Sequence, residues 1–339
     1  VKAVLWGPWS GMGMVVDQDL EARFAAAGVP LIGVEEGVAF LAEELRHSGD
    51  SVVAYSGPLS GFAFTEPLPD DAVWRQRAVV GAQVSLRSRR FESTEAFLAD
   101  HTIDGVPVLP GVMALELSAQ ARPSAPYPLC WRDIQLRRLV TSRADGLVLS
   151  LCHAPVAPKT VSFSCSELGE ADEPSAVGEL EWGCAKPSAL ELGVNEEVLK
   201  TFELSALYGS DGLLFSGPRF QVIAEAVQVG DSWARSTLRD SHSAASTAKD
   251  LPCRTPAALI DGLLQVAALY CLHHLEAAYL PTAVDELWCC GEAITCASAE
   301  VIAVHRDTSD DGQHVRFDAS LAVDGEPVVV RGLTMSRVG

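Results

Sequence analysis

The chain has 339 residues, of which 48% are hydrophobic and 21% are charged. This composition is typical of a globular protein long enough for two domains or one large one. The formal net charge is −20, which argues against nucleic acid and anionic membrane as partners, because both bind clustered Lys and Arg. We also expect no membrane span, since no uninterrupted apolar stretch is long enough.

The cysteines indicate a reducing compartment. There are nine of them, an odd number, with no C-x-x-C spacing and no secretory leader, so we expect free thiols and a cytoplasmic location. The densest group of metal-binding residue types is Cys271, His273 and His274. Within a helix these offsets do not bring all three side chains to one face, so the sequence predicts no metal site.

Residues 1–60 differ from the rest of the chain. A strand and a Gly- and Pro-rich turn open the sequence, two helices are predicted at 19–27 and 35–46, and a short strand follows at 51–55. Gly11 and Gly13 lack the third glycine of a dinucleotide-binding loop. The segment has too little core to be a domain of its own, and residues 61–74, in a stretch rich in Gly, Pro and Ser, are predicted to be a linker.

Residues 75–193 are predicted to form a first structural unit built on one helix. The helix is predicted at 111–121, with Val112, Leu115 and Ala119 on its core face. Strands are predicted at 78–90, 129–139, 146–153, 160–165 and 178–183. One long helix wrapped by antiparallel strands is the outline of a hotdog fold.

Residues 194–339 repeat this pattern as a second unit. Its helix is predicted at 256–276, with Thr255 as the N-cap and Pro256 at the first helical position. Strands are predicted at 201–208, 220–229, 292–305, 314–323 and 327–336. The sequence therefore predicts an α+β protein with two hotdog units side by side, a double hotdog.

A candidate base and a candidate oxyanion site lie at the start of the first helix. His101 precedes a loop punctuated by Gly105 and Pro110, and Gly111 opens the helix. The first N–H groups of a helix have no partner inside it and carry partial positive charge, which suits an oxygen gaining negative charge. Alone, His101 is more typical of a surface histidine, so the hypothesis needs a partner for it.

The second helix offers that partner. Asp261 and Gln265 are four residues apart and lie on one helical face. Apolar neighbours would desolvate Asp261, which raises the pKa of a carboxyl group and favours the protonated form that a general acid needs. Gln265 could orient the carboxyl group through a hydrogen bond. The alternative, an Asp and a Gln on the solvated face of the helix, is equally compatible with this spacing.

Four motifs in order resemble those of dehydratase domains of type I polyketide synthases. The spacing from His101 through Gly105 to Pro110 is similar to the family's HxxxGxxxxP signature, and Asp261 to Gln265 is similar to its DxxxQ motif. The segment 214–220, preceded by Tyr208, resembles the GYxYGPxF element. The segment 280–288 resembles an LPFSW element in which Thr282 replaces the aromatic residue.

The first sixty residues resemble the C-terminal end of a ketoreductase domain from the same synthases. The resemblance lies in the turn Trp6-Gly7-Pro8-Trp9 and in the phrase PLIGVEEG at 30–37. A ketoreductase end followed directly by a dehydratase resembles the order in iterative synthases of polyunsaturated fatty acids or enediyne polyenes. The chain is thus expected to be a segment of a longer protein.

The resemblance implies the reaction and its participants. A β-hydroxyacyl thioester carried on the phosphopantetheine arm of an acyl carrier protein would lose water, with His101 as base and Asp261 as acid. No metal or redox cofactor is implied. The partners would be the carrier protein, contacting Arg219 or the arginines of 87–90, the other domains of the megasynthase, and a second copy in a homodimer. The residues expected to contact substrate are Gly105, Pro110, Gly111, Tyr208, Phe215, Pro218, Phe220 and Gln265.

Two other functions stay open at this point. A hotdog protein can be an acyl thioesterase, for which Glu116 in the first helix is the candidate carboxylate. The chain could also be a catalytically silent dehydratase-like domain that acts as a scaffold or docks the carrier. The presence of His101 and Asp261 together argues against a scaffold, which needs neither.

Overall fold

The structure is a computed structural model that describes most of the chain beyond residue 75. It describes residues 3–6, 9–10, 31–35, 37–38, 41, 52–55, 75–79, 84–91 and 95–338, the last range without 104, 123–124, 143–145, 168–173, 189, 191–192, 209–211, 240–253, 292–297 and 324–325.

The secondary structure is dominated by strands. The helices of four or more residues in the described ranges are α1 (Ala96–Ala99), α2 (Gly111–Gln120), α3 (Leu204–Leu207) and α4 (Ala257–Leu275), and a 3₁₀ turn covers Pro218–Phe220. The strands are β1 (Ala3–Trp6), β2 (Val52–Tyr55), β3 (Arg75–Val79), β4 (Val84–Phe91), β5 (Thr102–Ile103), β6 (Val106–Pro107), β7 (Leu129–Leu136), β8 (Leu147–Ala157), β9 (Thr160–Glu167), β10 (Ala176–Trp182), β11 (Lys200–Phe202), β12 (Val227–Val229), β13 (Trp233–Leu238), β14 (Tyr279–Cys289), β15 (Ala299–Thr308), β16 (His314–Val323) and β17 (Glu326–Arg337).

Thirteen strands form one antiparallel sheet whose two halves have the same order. The order is β11-β12-β13-β15-β16-β17-β14 in the second unit, continued by β7-β10-β9-β8-β4-β3 in the first. In each half the strand after the long helix lies at the centre of the sheet, next to the last strand of its unit. β7 pairs with β14, with Trp131 opposite Leu287, and so joins the two units. The predicted double hotdog is confirmed.

The two long helices lie side by side as the core elements of the fold. Every residue of α2 from Val112 to Gln120 is buried, so the helix is enclosed on all sides rather than on the single face predicted. In α4 the buried residues run from Ala257 to Cys271 with few interruptions. This burial explains why α4 is long and apolar enough, by composition alone, to span a membrane.

The predicted start of α4 was wrong by a residue, and so was its cap. Pro256 occupies the N-cap position, without a side-chain hydrogen bond to the helix. The Thr255 hydroxyl instead donates to Glu116 in α2. The Thr255 hydroxyl, which we expected to cap α4, therefore donates its hydrogen bond to a buried carboxyl group in the other unit.

Several predicted strands also required correction. Residues 78–90 form parts of two paired strands, β3 and β4, rather than one. The segment 201–208 contains the end of β11 followed by helix α3, and 220–229 contains the end of the 3₁₀ turn and β12. β13 was missed, and so was β14, which contains the region of the LPFSW-like element. These segments are short or half-buried, so their apolar spacing does not separate strand from turn.

In the N-terminal segment β1 and β2 pair in parallel, Ala3 with Val52 and Trp6 with Tyr55. Trp9 forms a parallel bridge with Ile32, and a Cβ at Gly37 would collide with the Trp9 ring. The Trp6-Gly7-Pro8-Trp9 turn and the PLIGVEEG segment at 30–37 are therefore adjacent. The predicted helix at 19–27, the glycines at 11 and 13 and the linker 61–74 lie outside the described residues.

Candidate active site

His101 is held by the backbone of the loop that follows it. Its ring Nδ1 lies 2.9 Å from the Val108 carbonyl oxygen, and its own carbonyl accepts from the Val108 N–H at 2.8 Å. A carbonyl oxygen can only accept, so Nδ1 carries the proton. In the neutral ring Nε2 is then the unprotonated nitrogen, as a general base requires. Gly105, at φ +75° in the turn between β5 and β6, allows the tight reversal that brings Val108 back to His101.

A segment of the second unit packs directly against this histidine. Ser216 forms an antiparallel bridge with His101. The Gly217 N–H donates to the Asp100 carbonyl oxygen, and a Cβ on Gly217 would lie 2.5 Å from that oxygen, which explains the glycine in the Gly-Pro pair. Arg219 is 3.6 Å from the Asp100 carboxylate. The GPxF-like element therefore fixes the histidine loop to the unit that carries Asp261.

Asp261 and Gln265 form the predicted hydrogen bond, with Gln265 Nε2 donating to Asp261 Oδ2 at 2.8 Å. Gln265 also donates to the Phe220 carbonyl oxygen and accepts from the Tyr208 hydroxyl at 2.7 Å. Its amide orientation is thereby fixed. Asp261 is only 7% exposed, and burial raises its pKa, while the charge that His101 carries when protonated and the Gln265 hydrogen bond act in the opposite direction.

His101 and Asp261 line the same cavity. Its volume is about 240 Å³, and its walls come from both units. Leu109, Pro110, Gly111 and Ala114 contribute from the first unit, and Leu264, Gln265 and Ala268 from the second. The walls around His101, Asp261 and Gln265 are predominantly apolar. This is typical of a site for an apolar ligand with one reactive end. The buried dyad lies at the interface of the two hotdogs.

Gly111 lies at the cavity wall as the first residue of α2, so its N–H has no acceptor within the helix. A Cβ at this position would approach Leu136 Cδ1 to 2.7 Å. Glycine therefore allows the helix start to pack closely against β7. The start of α2, with its N–H groups unpaired within the helix, therefore lies at the wall of the cavity that contains His101.

Some of the remaining predicted contact residues line the cavity, and others hold neighbouring residues of the site in position. Phe215 lines the cavity and meets the His101 ring edge-on, with centroids 5.0 Å apart. Phe220 is fully buried and contacts the same ring at 5.6 Å. Tyr208 and Pro218 do not belong to the cavity wall formed by the described residues; Tyr208 orients Gln265, and Pro218 opens the 3₁₀ turn.

Sequence reasoning missed residues that complete the site. Ser216 lies beside both His101 and Gln265. The Gln265 Nε2 atom is 3.2 Å from the Ser216 hydroxyl oxygen. Val108 and Asp100 fix the histidine through backbone and side-chain contacts. Ser216 lies within the Leu214–Phe220 motif and Asp100 lies next to His101, and these positions were the available signals. Their contacts with the other unit cannot be read from spacing.

Glu116, the candidate carboxylate of a thioesterase, is fully buried. Its oxygens accept from the Arg254 N–H at 2.8 Å, from the Thr255 hydroxyl and from Gln120 Nε2. It does not belong to the cavity wall formed by the described residues. Its position differs from that of a carboxylate that would activate water within the cavity.

Comparisons with known proteins agree with this geometry. Residues 197–339 match the family model described as polyketide synthase dehydratase N-terminal domain, which here falls on the second hotdog unit. No curated protein matches the sequence of the chain.

Solved structures of the same domains are similar in fold. The dehydratase domain from the CurJ module of the curacin polyketide synthase is 16% identical, with a TM-score of 0.64 over 78% of this chain and 95% of that one. A trans-AT dehydratase domain from Brevibacillus brevis is 21% identical, with a TM-score of 0.62 over 76% and 94%. The PpsC dehydratase domain from Mycobacterium tuberculosis, solved in complex with C12:1-CoA, is 17% identical, with a TM-score of 0.62 over 78% and 97%.

The fold and the site define a double-hotdog protein with one interfacial cavity. The chain has the fold of solved polyketide synthase dehydratase domains, and residues 197–339 match their family model.

Proposed function

We propose that this domain removes water from a β-hydroxyacyl thioester to give an α,β-enoyl thioester, within a polyketide or polyunsaturated fatty acid synthase. The observation that carries the proposal is that His101 from one unit and Asp261 from the other line one mostly apolar cavity. A base and an acid in one cavity suit an elimination in which a proton and a hydroxyl group leave neighbouring carbons.

His101 starts the reaction. Its Nε2 takes the proton from the carbon next to the thioester carbonyl, because Nδ1 already donates to the Val108 oxygen. The electron pair of that C–H bond moves toward the carbonyl, whose oxygen gains negative charge. The N–H of Gly111 at the start of α2 then stabilises this oxygen, with the partial positive charge of the helix end.

Asp261 completes the elimination. The bond from the β-carbon to its hydroxyl oxygen breaks, and the Asp261 proton joins that oxygen so that it leaves as water. Burial raises the pKa of Asp261 and favours the protonated state that this step needs. The proton held by His101 afterwards returns to Asp261, and both groups regain their starting states.

The thioester is proposed to arrive on the phosphopantetheine arm of an acyl carrier protein. Arg137 is exposed and belongs to the cavity wall together with Arg138, so it is placed to meet a phosphate at the entrance. Arg219, expected from the sequence to contact the carrier, is paired with Asp100. From the resemblance we further propose that the chain works with other synthase domains, forms a homodimer, carries a ketoreductase tail and belongs to the iterative subfamily. From its cysteine pattern we propose a cytoplasmic location.

Product identity tests the proposed function. A β-hydroxyacyl carrier protein or pantetheine thioester is incubated with the chain, and the products are separated by liquid chromatography and weighed by mass spectrometry. We expect the enoyl thioester, lighter by one water molecule. Release of the free acid would support the thioesterase alternative, and unchanged substrate would support the silent scaffold.

A further inference from the structure

The two long helices carry the same buried arrangement of an acid and a glutamine. In α4, Gln265 Nε2 donates to Asp261 at 2.8 Å, and in α2, Gln120 Nε2 donates to Glu116 at 2.7 Å. In both pairs the glutamine follows the acid by four residues, and another side chain donates to its amide oxygen. That donor is Tyr208 for Gln265 and Arg89 for Gln120. The two clusters occupy equivalent places in the two halves of the sheet.

The clusters differ in what the opposite unit supplies. Asp261 faces a cavity, with His101 of the first unit on its wall. Glu116 faces no such space: the Thr255 hydroxyl of the second unit lies 2.5 Å from one carboxyl oxygen, and the Arg254 N–H lies 2.8 Å from the other. Glu116 and Thr255 are 0% and 1% exposed. The opposite unit thus contributes the proposed base, His101, to the Asp261 cluster. To the Glu116 cluster it contributes a fixed hydrogen bond from Thr255.

Arg254 extends this second cluster over the end of α2. Its guanidinium group donates to the carbonyl oxygens of Ala119, Arg122 and Ala125, which lie at and after the C-terminus of the helix. Its own carbonyl accepts from the Tyr127 hydroxyl at 2.6 Å, and its guanidinium lies over the Tyr127 ring. A cation at a helix C-terminus also interacts favourably with the helix dipole.

We propose that Glu116, Thr255 and Arg254 form a clamp between the units that positions the catalytic pair, so that these three are positioning residues for the dehydration. α2 begins at Gly111 in the cavity wall and contains Glu116, while Thr255 lies six residues before Asp261. The clamp therefore joins the helix that presents Gly111 to the helix that presents Asp261. This inference rests on the proposed function.

The clamp predicts a loss of rate without a loss of substrate binding. Misplacing a catalytic group by about 1 Å can cost on the order of 100-fold in rate. We therefore expect Thr255→Val, which keeps the side-chain volume but removes the hydroxyl, to lower kcat at least about tenfold, with KM changed less than about twofold. Thr255→Ser restores the hydroxyl and should recover most of the rate.

A matched control separates positioning from stability. Ser118 lies in α2 two residues beyond Glu116, is fully buried and hydrogen-bonds within the first unit only, to Leu115 and Trp131. Ser118→Ala should lower the melting temperature but leave kcat per folded molecule unchanged. Wild-type kcat per folded molecule in Thr255→Val would overturn the positioning role.

Amide hydrogen exchange measures the clamp without turnover. We expect exchange in peptides covering 254–261 to quicken in Thr255→Val and to stay at the wild-type rate in Ser118→Ala. If the wild-type chain forms no enoyl product, the proposed function fails, and the exchange rates alone decide whether the clamp exists. Equal exchange in Thr255→Val and wild type would overturn it.

Discussion

Asp261 combines a buried carboxyl group with a single fixed neighbour, Gln265. The Gln265 amide is oriented by the Tyr208 hydroxyl on its oxygen and by Phe220 and Asp261 on its nitrogen. Burial favours the protonated carboxyl group, and the donated hydrogen bond favours the charged one. Together with the Coulombic effect of His101, which also lowers the pKa of Asp261, these effects decide how far into the alkaline range Asp261 remains an acid.

Replacing Gln265 by Leu should change both the rate and its pH dependence. The substitution removes a donor to the ionised carboxyl group, so the pKa of Asp261 rises further. Because the reaction needs the protonated form, the alkaline limb of kcat against pH should move to higher pH. The maximal rate should fall because the carboxyl group loses its orientation. A profile with a wild-type alkaline limb would show that Asp261 is not the group titrating there.

Residue types and spacing were sufficient to predict the hydrogen bond between Asp261 and Gln265, because both lie on one helix at a spacing with known geometry. They were also sufficient to predict the histidine loop, because Gly105 and Pro110 restrict that backbone. Ser216 and Thr255 could not be assigned in this way. Their roles depend on which segment of the chain lies opposite, and that is determined by the packing of the two units.

At the level of the element, the start of α2 determines where the carbonyl oxygen would lie. Gly111 packs against Leu136 of β7 and presents its N–H to the cavity. A larger residue must move either the helix start or the Leu136 side chain. Since the terminal methyl of a leucine can move more cheaply than backbone, the site would be distorted but the fold retained.

Gly111→Ala should therefore lower kcat by about tenfold or more, because a displaced N–H stabilises the developing charge less well. Combining it with Leu136→Ala removes the atom that the new methyl would meet, and should recover part of the rate. Steady-state kinetics of the single and double variants make the comparison. Equal loss in the double variant and in Gly111→Ala would show that the contact with Leu136 is not the cause.

On the scale of the whole molecule, one continuous sheet holds two hotdog units so that a cavity forms between their helices. The pairing of β7 with β14 joins the two halves of the sheet. β14 also supplies Tyr279, Leu280 and Thr282 to the cavity wall. The number of units and their helices could be predicted from apolar spacing. The joining of the sheet could not, because β14 was not predicted and strand partners are not encoded locally.

Thr282 offers a test of how the acyl chain lies in this cavity. It hydrogen-bonds to Ser336 and lines the cavity at a position where the resembling motif has an aromatic residue. Thr282→Phe should reduce kcat/KM for long acyl chains more than for short ones, because the ring occupies space within the cavity. Thr282→Val keeps the volume and should retain the wild-type preference. Equal effects of Thr282→Phe on short and long substrates would show that the acyl chain does not lie beside Thr282.

The central claim is that His101 and Asp261, from different units, act as one catalytic pair. The direct measurement is the rate of enoyl formation by His101→Ala, by Asp261→Asn and by the variant carrying both. Each single substitution should cost about 100- to 10,000-fold, and the double variant should be no slower than the slower single, because residues that act as a unit are not additive. Losses that multiply in the double variant, or a single variant with the wild-type rate, would contradict the account.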